Sequence, residues 1–100
     1  MTNPFFVLTS IENEIIGVIH NPSIKKVLAA NEKVKAYQYA LIKKSVVNCL
    51  EHHYDLKCND ITIPSDFADF HKPIEFRAYM GEDTQEAFDG LFTLTMAWYY

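Results

Sequence analysis

Residues 31–56, which contain neither Gly nor Pro, carry their apolar residues at helical spacing. At about 100° per residue, Val34, Tyr37 and Leu41 share one side with Ser45 and Asn48. Tyr39, Ile42, Val46, Cys49 and Leu50 form a second side next to it, and only Lys33, Ala40, Lys44 and Glu51 mark a narrow polar stripe. Asn31 supplies a cap, and Glu32 suits the positive end of the helix dipole. A helix that is apolar around most of its circumference is buried on several sides. The pattern therefore predicts a long central helix that serves as the spine of the domain.

The flanking segments are shorter. Pro4 with Asn3 reads as a helix start, and Leu8, Ile11, Ile15 and Val18 recur at three and four residues. A hairpin pairing residues 5–9 with 14–20 is the rival, since both segments favour strands. Residues 10–13 lack the Asn-Gly or Asp-Gly of a tight hairpin turn, so helix is the preferred reading. Asn21 or Ser23 caps a short second helix over residues 24–30. After Leu56, Asn59-Asp60 signals a turn, residues 61–63 a short strand, and residues 65–70 a helical turn. Ile74, Phe76, Ala78 and Met80 alternate with Glu75, Arg77 and Tyr79, the period of a half-buried strand that Gly81 ends. Asp83 to Glu86 resembles a capping box opening a short helix to about Asp89, which Gly90 breaks. Phe92, Leu94, Met96, Trp98 and Tyr100 alternate with Thr93, Thr95, Ala97 and Tyr99, a second strand. The expected fold class is α+β: a helical N-terminal half with one long central helix (residues 31–56), and a small two- or three-stranded sheet from the C-terminal half. Residues 1–100 are read as one domain.

Composition narrows the class. Apolar residues make up 49% and charged residues 22%, close to globular averages of about 45–50% and 25%, so the chain can build a core unaided. Two cysteines are too few for a disulfide framework. The first ten residues have no basic lead, and no run approaches a membrane span. A cytoplasmic location is the expectation. Charge is uneven: residues 58–100 carry only Lys72 and Arg77 against eight acids, whereas the Lys residues crowd between Lys25 and Lys44. That basic cluster contains no Arg, the commonest reader of base edges, so direct nucleic-acid contact is not expected.

Candidate chemistry is sparse. Cys49 and His53 lie one helical turn apart, and Cys58 and His71 would complete a Cys2His2 zinc site. The second pair is too widely spaced for a zinc knuckle, so Cys49, His53, Cys58 and His71 are metal candidates only, and no cofactor is expected. Asp60, Asp66, Asp69, His71 and Glu75 are the densest acidic run, a possible Mg²⁺ site. The order Asp66, Glu75, Arg77 is similar to the acid, acid-x-lysine arrangement of metal-dependent nucleases, but Arg77 stands where lysine belongs and cannot give up its proton. No Gly-x-Ser-x-Gly elbow or phosphate-binding loop occurs.

The function expected from these residues is non-enzymatic binding of another protein, in the simplest case a second copy. Trp98, Tyr99 and Tyr100, of types that serve as interface anchors, are the candidate contact residues together with Asp83, Glu86 and Asp89. The alternative is an acidic mimic of nucleic acid, with inhibitors encoded by mobile elements as the type of protein. A metal-dependent enzyme or zinc-stabilised module is third.

Overall fold

The computed structural model describes residues 3–20, 32–63 and 73–99. It is a predominantly β structure and corrects the expected fold class. Five strands form one antiparallel sheet: β1 (Asn3–Ser10), β2 (Ile15–Ile19), β3 (Cys58–Thr62), β4 (Ile74–Met80) and β5 (Phe88–Tyr99). A single helix among the described residues, α1 (Glu32–Tyr54), joins β2 to β3. Strand order is β2-β1-β5-β4-β3, so the chain leaves the sheet at one edge and re-enters at the other. β5 then lands beside β1, registered from Asn3 opposite Tyr99 to Ser10 opposite Phe92.

The N-terminal half is not helical up to residue 20: it is the β1–β2 hairpin. The turn signal lies in side chains other than glycine. The Ser10 N–H donates to the Glu14 carbonyl at 2.9 Å, and the Asn13 N–H to the Ser10 carbonyl at 3.0 Å. Ser10 Oγ accepts from the N–H groups of Glu12 (3.3 Å) and Glu14 (3.2 Å). Asn13 takes the left-handed conformation, φ 63°, that glycine usually fills in such loops. The helically spaced residues are accordingly split: Leu8 is buried, whereas Ile11, Ile15 and Val18 are exposed.

The helix occupies most of the expected window but is not a spine buried on several sides. It buries one stripe, Ile42, Val46 and Leu50, each with no exposed surface, while Tyr37, Lys43, Lys44, Asn48 and His52 face solvent. Asp55, φ 54°, ends it in the left-handed conformation of a C-cap. The Cys58 N–H then donates to Glu51 Oε2 at 2.9 Å, tying the start of β3 to the last turns of α1. The helix comes close to both edge strands, β2 and β3.

The core lies between that stripe and one face of the sheet: Phe6 and Leu8 of β1, Phe92 and Leu94 of β5, and Ile74, Phe76, Ala78 and Met80 of β4. The alternation read for 74–80 is observed without change. Elsewhere the strands differ from expectation. Asn59 and Asp60 lie inside β3 rather than in a turn. Residues 82–86 form turns rather than a helix, with Asp83 at φ 67° and Thr84 Oγ1 donating to the Gly81 carbonyl at 2.6 Å. β5 begins at Phe88, so Gly90 sits within it. The helix read at 24–30 and the helical turn at 65–70 fall outside the described residues.

Gly17 shows how tightly α1 is seated. A Cβ built there would fall on Cys49 Sγ. Gly17→Ala is therefore expected to destabilise by about 1–3 kcal/mol through overpacking. In a Cys49→Ala background the same change should be neutral or stabilising, because glycine in a strand costs conformational entropy. Urea melts of the four species measure this coupling; additive effects would mean that β2 and α1 are farther apart than described.

Candidate functional site

The residues proposed for partner contact from sequence do not come together. Asp83 and Glu86 are exposed in the β4–β5 connection, and Asp89 is the second residue of β5, opposite Tyr79, its Oδ2 3.6 Å from Arg77 Nε. The backbones of Trp98 and Tyr99 pair with Pro4 and Asn3 at the far end of the same strand, about 30 Å from Asp89 at the usual rise per residue. Tyr100 lies outside the described residues. β5 lies between β1 and β4, but it is paired on both sides only from Phe92 to Leu94; residues 95–99 pair with β1 alone among the described residues.

The metal candidates separate likewise. Cys49 sits against Gly17 on β2, whereas Cys58 begins β3 at the opposite edge, its thiol 3.9 Å from the Asp60 carbonyl. His53 Nε2 lies 3.4 Å from Glu14 Oε1. Among the described residues, no three His, Cys, Asp or Glu side chains form a group that could hold an ion, and His71 is not among them. Burial pushes the Cys49 thiol up; Cys58 is raised by burial first and by Glu51 and Asp60 after it, with Lys43 acting the other way. Both half-buried thiols are thereby disfavoured as thiolates.

The acids divide as well. Asp60, Glu75 and Asp89 project from β3, β4 and β5 with Arg77 among them, while Glu82, Asp83 and Glu86 belong to the connection. Asp66 and Asp69 are outside the described residues. The described acids do not make one uninterrupted face, which is what mimicry of nucleic acid asks for.

What the structure does assemble is a cleft of about 310 Å³ at the end of the sheet, where the β1–β2 turn, the start of β5 and the last turn of α1 meet. Its walls are aromatic. The Tyr54 ring meets Phe88 edge-on with centroids 4.9 Å apart and lies 6.1 Å from Phe92, which in turn packs 5.6 Å from Phe76. Gly90 makes this possible, since a Cβ there would strike both the Phe92 and Phe88 rings. Glu12 and Glu14 of the β1–β2 turn border it, whereas the Asp89 carboxylate lies by Arg77 on the opposite face of β5 from Phe88 and Phe92. Burial, and then the charge of Glu14, raises the Tyr54 hydroxyl above its ordinary pKa. Sequence reasoning missed this site because it began the strand too late, at Phe92 rather than Phe88. Phe88, Gly90 and Phe92 at alternate positions put two rings on one face with a gap between them, once residue 88 is read as strand.

A second feature is the sheet edge at β2. Ile15–Ile19 contains no charged residue, and among the described residues no strand pairs with its outer side. Ile15 is 66% and Val18 45% exposed. Both edge strands carry a register irregularity, β2 at Ile16 and β3 between Cys58 and Asp60; the β3 edge differs in also carrying Asp60, whose charge discourages strand addition. No helix of the described residues is long and apolar enough to cross a membrane. Set against known protein families, curated proteins and solved structures, the chain matches none.

Proposed function

We propose that this chain is a non-enzymatic protein-binding module that takes a partner strand along β2, with a second copy of itself as the simplest partner. The observation that carries this reading is the contrast between the two edges. An uncharged, apolar edge whose outer side pairs with no strand among the described residues is a template for strand pairing, and proteins that avoid such pairing keep the edge short or place charge, proline or a bulge there. Both edge strands carry a register irregularity, but only the β3 edge adds a charged residue, Asp60. Main-chain hydrogen bonds would supply affinity, and Ile15 and Val18 the apolar contact on the side chains. A two-fold axis across β2 satisfies the self-complementarity that a symmetric dimer needs.

Sedimentation equilibrium over a wide concentration range tests this. A reversible dimer is expected, and Val18→Lys should weaken it by at least about tenfold, since an edge lysine must lose its hydration to pair. Val18 is substantially exposed, so the variant should fold. A monomer at every concentration would remove the self-association form. Partner capture unaltered by Val18→Lys would remove the edge itself.

A further inference from the structure

We draw no further inference here: the strongest candidate, the face of the sheet turned away from α1, on which Ile15, Val18, Tyr79 and Leu91 are exposed, carries nothing because nothing in the structure shows what covers it.

Discussion

Phe92→Ala is expected to cost about 3–5 kcal/mol of stability. Phe92 lies on the interior strand β5 with 2% of its surface exposed. It is registered between Phe76 of β4 and Ser10 of β1. Its ring is held by Phe76 at 5.6 Å and Tyr54 at 6.1 Å, so truncation removes contacts to the sheet and to the end of the helix together. The neighbours are on hydrogen-bonded strands and cannot collapse far into the space left, which places the loss in the upper part of the range for large-to-small changes. A domain of this size has only about 5–15 kcal/mol in total, so the variant should melt on the order of 15–30 °C lower. Thr95→Ala, an exposed change on the same strand, should stay within about 0.5 kcal/mol. Urea melts with unchanged slope would give both numbers. A loss below about 1 kcal/mol for Phe92→Ala would mean that this face of β5 is not the core.

How far the fold could be read from the residues depended on whether one periodicity stood alone. In β4, Ile74 through Met80 alternate without a competing three-or-four spacing, and the observed burial follows the sequence residue by residue. In residues 5–20 both periods were present. Leu8, Ile11, Ile15 and Val18 satisfy the helical one, and Phe6 and Leu8 against Val7 and Thr9 satisfy the strand one. The choice was decided by β5, which lies ninety residues on in sequence and pairs along the whole of β1; no local propensity reports that. The turn was hidden for a different reason. Ser10 and Asn13 perform with a hydroxyl and a left-handed asparagine what an Asn-Gly pair does elsewhere. The cleft was illegible because its parts come from the β1–β2 turn, the end of α1 and the start of β5. Its one local trace, Phe88-x-Gly90-x-Phe92, was masked by treating glycine as the strand's boundary.

The orientation of α1 yields the second large effect. Composition around the helix assigns Leu41 and Leu50 alike to apolar sides, but the structure separates them. Leu50 has no exposed surface and continues the stripe begun by Ile42 and Val46, whereas Leu41 is only partly buried. The residues one turn to either side of Leu41, Tyr37 and Ser45, show why. Tyr37 is 65% exposed, and Ser45 turns its hydroxyl back to donate to the Leu41 carbonyl at 3.2 Å. That side of the helix therefore faces away from the sheet. Leu50→Ala should cost about 3–5 kcal/mol, a transfer loss plus a cavity beneath the last turns of α1. Leu41→Ala should cost about 1 kcal/mol, because less apolar area leaves water and no closed cavity results. Lys44→Ala, on the exposed side, should fall within about 0.5 kcal/mol. Urea melts of the three variants would show the order Leu50, Leu41, Lys44. Equal losses at Leu50 and Leu41 would restore a helix buried on several sides, and would require a second layer of protein over the face that carries Tyr37.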